Sequence, residues 1–236
     1  MNKKKFKIIG FIPAKKNSRD LKNKNFKKLN NLSLFEISLL SSIHSKLINQ
    51  TFLSSNSDFI LNKAKHYGAI QVKRNENFCK FNTTANEVIL DFIKNNLPKN
   101  EYKDYVIVYL QPTSPFRNHN HVDKAINLFF KKKYKILVSV EKNKNFFKSF
   151  KLKQNHLKPY FQNKLITTNR QELSNIYSPN GAIYIFYVKD FLLHKKINFI
   201  NAGKFIMNKI ESIDIDSQED FIMANHLSKK YINYKK

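Results

Sequence analysis

"DYVIVYLQPTSPFR", residues 104–117, decides the fold. After Asp104 every residue through Leu110 is apolar, with none of the polar alternation of a half-exposed strand. Such a run belongs to a strand covered on both faces, so the sheet carries helices above and below. The run stops at Gln111, and the two prolines around Thr113 and Ser114 impose a rigid, non-helical corner. That corner is expected to project hydroxyls, an amide and Arg117 from the carboxyl end of the strand, where open α/β sheets bind ligands. The prolines read also as a simple strand stop.

Working outward, short β-rich runs alternate with helical patterns. "FKIIGFIP" (6–13), "TFLSS" (51–55) and "AIQVKR" (69–74) read as strands. "LSLFEISLLSSIHS" (32–45), "SDFILNKAKHYG" (57–68), "TANEVILDFIKNN" (84–96) and "NHVDKAINLFFKK" (120–132) carry apolar residues at helical spacing. The alternation predicts βαβ crossovers and an α/β fold with a mostly parallel, twisted, Rossmann-like sheet. From about 141 to 176 the text turns polar and irregular, and strand character resumes at "GAIYIFYV" (181–188). This stretch is too short to bury its own core, so residues 1–236 are read as one domain with an inserted arm, a natural dimer element. The lysine-rich ends are expected to fray.

The chain has 236 residues, 42% of them hydrophobic, enough for one sizeable domain. No run approaches the roughly 18 apolar residues of a membrane span, and the first apolar stretch leads into lysines rather than a cleavage site, so a cytoplasmic protein with no membrane partner is expected. A single cysteine, Cys79, closes no internal disulfide, and zinc spacings are missing. The net charge of +26 invites polyanions. However, its lysines are spread along the whole chain among Asn, Ile, Phe and Tyr, the residue set of an A/T-rich genome, and no nucleic-acid-binding motif accompanies them; no specific nucleic-acid partner is expected.

Three further segments offer chemistry. "PAKKNSRDLKNKNF" (13–26) follows the first strand and concentrates Lys15, Lys16, Arg19, Lys22 and Lys24 without a glycine. It matches neither GxxxxGK[ST] nor GxGxxG, and reads as a phosphate site or as a basic solvated turn. "YSPNGAIYIF" (177–186) sets Asn180 and Gly181 before a strand, where glycine allows close backbone approach or positive φ. "SIDIDSQEDF" (212–221) alternates Ile213 and Ile215 with Asp214 and Asp216. Period-2 geometry sends both carboxylates one way, suiting Mg²⁺ on phosphates. Alternatively the aspartates only precede a helix capped by Ser217 and Asp220.

Taken in order, "IPAKKNSRDLKNKN", "YLQPTSPFR", "SPNGAIYIF" and "SIDIDSQEDF" resemble the CMP-sialic acid synthetase (nonulosonate cytidylyltransferase) family over residues 6 to about 225. The resemblance implies a nucleotide-diphospho-sugar transferase-like sheet, a homodimer, and transfer of CMP from CTP to a nine-carbon 2-keto sugar acid, a nonulosonic acid, with Mg²⁺. It implies CTP contacts from Ala14, Lys15, Ser18, Lys24, Asn25, Arg74, Thr84 and Ala85, with Lys15 and Lys24 catalytic. Gln111, Lys148, Arg170 and Tyr184 would hold the sugar, the arm of one subunit completing its partner's site. Asp214 and Asp216 would bind Mg²⁺ and activate the attacking hydroxyl. The related transfer to 3-deoxy-manno-octulosonate, a catalytically silent nucleotide-binding relative and a polyanion-binding protein are the alternatives. Lys15 stands for the family's loop arginine, Asp20 for a common glycine, Asn56 for an aspartate, and "TTA" (83–85) for DTA. Lys15 keeps the charge but not the two-pronged guanidinium.

Overall fold

The computed structural model describes residues 6–232 and 234; the remaining residues of the lysine-rich ends lie outside them. In chain order the main elements begin with β1 (Lys7–Pro13), a short β2 (Lys28–Leu29) and β3 (Leu32–Ser33) ribbon, α1 (Leu34–Ile43), β4 (Gln50–Ser55), α2 (Asp58–His66) and β5 (Ile70–Lys73). Then come α3 (Ala85–Asn96), β6 (Tyr105–Tyr109), α4 (His119–Lys131), β7 (Ile136–Lys142), β8 (Phe150–Lys153), β9 (His156–Pro159) and α5 (Lys164–Thr167). Finally β10 (Tyr177–Tyr187), α6 (Val188–His194), β11 (Gly203–Ile206) and α7 (Gln218–Tyr231) complete the chain.

Seven strands form one sheet in the order β11-β7-β10-β6-β1-β4-β5. β6 lies beside β1, and every residue of it is buried, as its unbroken apolar run requires. Alternation along β1 and β6 splits the core into two layers. Ile8, Ile12, Val106 and Val108 face α1, α2 and α4, through Phe35, Leu39, Ile60 and Phe129. Ile9, Phe11, Ile107 and Tyr109 face α3 and α6, through Phe92 and Phe191. Phe11 and Phe92 stack at 4.2 Å between centroids; each such buried ring contributes about 1.5–3 kcal/mol.

The sheet departs from the βαβ expectation at one place. β10 runs antiparallel to both β6 and β7, whereas the other pairings in the sheet are parallel. Its connection from β7 is the irregular segment of residues 143–176, not a crossover helix, so the chain returns reversed. That segment forms the separate β8–β9 ribbon and the short α5, with Leu173 the buried hydrophobic residue in it. On the ribbon, Phe150, Leu152 and Leu157 are exposed hydrophobics; the register sets Leu152 opposite Leu157 and Phe150 opposite Pro159. β7 and β11 were not among the strands expected from the sequence. No helix among the described residues is long and apolar enough to cross a membrane.

Candidate active site

The carboxyl ends of β1, β5 and β6 open onto a cleft of about 380 Å³. The basic loop after β1 forms one wall, and it is held by side-chain amides where a glycine cradle would use backbone alone. Asn25 Nδ2 donates to Lys15 O at 2.7 Å, Lys16 N donates to Asn56 Oδ1 at 2.9 Å, and Ala14 N donates to Ser54 O at 2.8 Å. Asn23 takes the left-handed conformation (φ 55°) that starts the turn Lys24–Phe26. Ala14 and Asn25 are buried, while Lys15, Ser18 and Lys24 line the cleft. Burial, reinforced by Arg74, Lys24 and Arg19, lowers the pKa of Lys15, whose ammonium also lies 5.4 Å from the Phe81 ring centroid. A cationic pocket that disfavours its own charge is built to receive an anion. Asp20, also at the cleft, pairs with Arg19 at 3.1 Å.

The corner after β6 forms the floor, but Arg117 does not project at the rim. Its side chain is fully buried, and it donates to Gln111 O and Ala182 O, both at 2.9 Å, and to the hydroxyls of Ser41 and Ser38. Arg117 is the internal bolt of the corner. Burial lowers its pKa to about 10, still well above neutrality, so the guanidinium stays charged. Ser114 is buried too, and Gln111 and Thr113 reach the cleft.

Beside them β10 carries a bulge between Pro179 and Tyr184. Asn180 is pinned from two sides: Ser139 Oγ donates to its Oδ1 at 2.6 Å, and its Nδ2 donates to Ser212 Oγ at 2.9 Å. Gly181 has φ +75°, and a Cβ there would stand 2.7 Å from Gln111 Oε1 and 3.1 Å from Asp214 Oδ2. Gly181→Ala should therefore cost about 1–2 kcal/mol in backbone strain, a fall of roughly 2–8 °C in Tm, besides displacing both side chains. An unchanged Tm would show that the bulge tolerates a side chain.

The acidic segment behaves as period-2 geometry requires although it joins no sheet. Ile215 N donates to Thr113 O at 2.9 Å, which fixes it to the corner. Ile215 is buried in a third apolar cluster with Leu29, Leu34 and Phe116, Ile213 packs against that cluster, and Asp214 and Asp216 face the cleft. The capping reading holds as well: Ser217 and Asp220 form the capping box of α7. That leaves Asp216 to pair with Lys24, 2.8 Å away across 192 residues of sequence. Asp214 Oδ1 is buried without a hydrogen-bond partner, and burial raises the pKa of this carboxyl, with Asp216 adding to the shift and Thr113 opposing it. Two carboxylates, one holding an unused oxygen, are a donor set that suits Mg²⁺ sharing its remaining positions with phosphate oxygens. Among the described residues no group of three or more His, Cys, Asp or Glu is placed to hold a metal alone.

Arg74, Thr84 and Ala85 complete the lining. Arg74 is buried and anchored by Nε to Ser54 Oγ (3.1 Å) and Nη2 to Ser54 O (2.9 Å). The Thr84 hydroxyl caps α3, paired with Glu87. Tyr184 does not line the cleft; it lies behind Tyr109, the ring centroids 5.9 Å apart, and its hydroxyl is pushed up by burial and by Asp214. Lys148 and Arg170 are not brought to this chain's cleft: Lys148 ends the turn Lys144–Lys148, and Arg170 borders a separate hollow of about 780 Å³ with Glu141, Lys142 and Lys209. The sequence reading missed the wall formed by Phe78, Lys80 and Phe81. They follow β5, and the same rule that located the other loops at strand ends points to them.

A basic loop and a carboxylate pair converging at the carboxyl edge of an open α/β sheet are the arrangement of a nucleotidyltransferase. Comparison with known proteins gives the class its family. The chain belongs to the cytidylyltransferase family, whose model matches residues 9–235. It is 30% identical to the N-acylneuraminate cytidylyltransferase of Escherichia coli over 95% of its length, but spans only 52% of that protein. It is 28% identical to the CMP-N,N'-diacetyllegionaminic acid synthase of Legionella pneumophila, covering 94% of this chain and 96% of the relative. Its fold matches the solved CMP:2-keto-3-deoxy-manno-octonic acid synthetase complexed with CTP, with TM-score 0.67, 11% identity, and coverage of 95% of this chain and 99% of that one.

Proposed function

We propose that the protein is a cytoplasmic enzyme that transfers CMP from CTP to the anomeric hydroxyl of a sialic-acid-like nine-carbon 2-keto sugar acid, releasing pyrophosphate. The observation that carries this reading is the meeting of Lys24 and Asp216 in one cleft, which joins the phosphate loop to the acidic pair. Lys15 and Lys24, with Ser18, Asn25 and the backbone around Ala14, hold the triphosphate and offset the charge that develops on the leaving pyrophosphate. Arg74, Thr84 and Ala85 border the cytosine end. Gln111 orients the sugar, and Tyr184 backs the floor it rests on. The C2 hydroxyl oxygen forms the new bond to the α-phosphorus as the bond to pyrophosphate breaks, and Asp214 accepts the hydroxyl proton. Asp214 and Asp216 would hold Mg²⁺, which supplies further neutralisation of phosphate charge.

Lys148 and Arg170 meet the sugar only if the arm reaches another subunit, so a homodimer is part of the proposal. The exposed Phe150, Leu152 and Leu157 of the β8–β9 ribbon support an arm that packs on a second copy. Relatives at 28–30% identity that act on neuraminate and legionaminate favour a nine-carbon acid over octulosonate, whose synthetase is alike in fold alone.

Pyrophosphate release from the purified protein with CTP and Mg²⁺, against a panel of nine-carbon acids and the eight-carbon acid, tests the reading. Release with CTP and a nine-carbon acid, but not with ATP, GTP or UTP, is expected. Silence across the panel in folded protein that binds CTP would favour a non-catalytic relative.

A further inference from the structure

We propose that Asn56 is a positioning residue that ties the two walls of the nucleotide cleft together, with Glu76 as its counterpart. This rests on the cleft being a CTP site. One wall is the basic loop bearing Lys15, Ser18 and Lys24; the other, residues 75–83, bears Phe78, Lys80 and Phe81. Asn56 stands between them. Its Oδ1 accepts from Lys16 N at 2.9 Å in the first wall, and its Nδ2 donates to both carboxylate oxygens of Glu76, at 3.1 Å each, in the second.

The partners fix the amide's orientation, because Lys16 N–H can only donate and the Glu76 carboxylate can only accept. The amide does both from two separate atoms, so one side chain accepts from the first wall while it donates to the second. A carboxylate at position 56 would keep the bond to Lys16 and set a second negative charge against Glu76. Glu76 opens the turn Glu76–Phe78, which Asn75 caps by accepting from Asn77 N, so holding Glu76 sets the approach of Phe78 and, beyond it, of the Phe81 ring over Lys15. The anchor is stiff: Asn56 directly follows β4, whose Ser54 already holds Ala14 and Arg74. Thus the end of one buried strand sets the spacing of the cationic wall, the aromatic wall and Arg74.

The test is calorimetric titration of CTP with Mg²⁺, without sugar acid, into four proteins: wild type, Asn56→Asp, Glu76→Gln and the double variant. Asn56→Asp should weaken CTP binding about fivefold, the scale of one solvent-accessible charged contact. Glu76→Gln should bind nearly as wild type, since the glutamine oxygen still accepts from Asn56. The double variant should recover to within about twofold of wild type, because the glutamine amide can donate to the introduced carboxylate. At saturating CTP, kcat and the KM for the sugar acid should be the same in all four, and their Tm values should coincide. Wild-type protein that does not bind CTP overturns the reading of the cleft and the tie with it. Wild-type binding with no loss in Asn56→Asp, or with no recovery in the double variant, overturns the tie alone. A loss accompanied by a lower Tm and a raised sugar KM assigns Asn56 to general stability and also overturns it.

Discussion

Asp214→Asn is expected to lower kcat about 10²–10⁴-fold, the range lost when a positioned proton acceptor is removed, while raising the Tm of the ligand-free protein. The two effects share one cause. Asp214 is buried with Oδ1 unpartnered, and its pKa is raised chiefly by that burial. A carboxyl whose folded pKa lies above its unfolded value binds protons more readily when folded, so stability falls as pH rises from the unfolded pKa through the folded one. At neutral pH the charged group therefore costs stability, and a neutral amide relieves the cost. The ligand-free wild type should gain stability on acidification through that window, and the variant should lack this component of the profile. Parallel melting curves and pyrophosphate-release rates check both halves. An unchanged kcat would remove Asp214 from the chemistry, and a lower Tm would show that the carboxylate has a partner worth more than its burial costs.

The second large effect concerns stability alone. Arg117→Met should destabilise the fold by about 3–5 kcal/mol in urea unfolding, although methionine fills most of the space of the arginine stem. Replacing buried polar groups with apolar ones is often nearly neutral, but only when both partners are exchanged. Here two partners are the backbone carbonyls of Gln111 and Ala182, which no side-chain substitution removes, and the others are Ser38 and Ser41. Gln111 O keeps a 3.2 Å bond from the Ser38 hydroxyl, so the loss falls mainly on the remaining acceptors. Each buried acceptor left without a donor costs about 1–3 kcal/mol. Arg117→Lys should also be damaging, because one ammonium cannot reach acceptors on three segments. A loss below about 1 kcal/mol in the methionine variant would mean that water enters to replace the guanidinium.

Arg117 shows where reading the sequence runs out. The corner itself was legible, because two prolines after an unbroken apolar strand leave little choice. Whether the arginine beside them faces out or in depends on Ser38, Ser41 and Ala182, which the fold brings there from distant segments. The same holds for the acidic pair: alternation told that Asp214 and Asp216 share a side, yet not that Lys24 would meet them. Strands with a single clear period, such as β1 and β6, were legible in type and place. β7 is obscured because it runs straight into the irregular arm and β11 because it is only four residues long, and the reversal of β10 is set by a connection without helical periodicity. Lys148 and Arg170 could be named through resemblance, but their distance from the cleft depends on how the arm folds.

The reversed β10 also bears on how the protein is made. It is inserted between β6 and β7, both synthesised before it. At roughly 5–20 residues per second, a ribosome needs several seconds to add the arm and β10 after finishing β7. Through that interval Val106, Val108, Leu137 and Val138 lie on strands whose shared neighbour does not yet exist, a template for pairing with another nascent chain. Emergence of residues 177–187 then fills the gap between β6 and β7 and delivers Asn180 and Gly181 to the corner after β6. In translation, joining β6 to β7 and bringing the bulge to the site are a single event, and only the edge strand β11 is left to add.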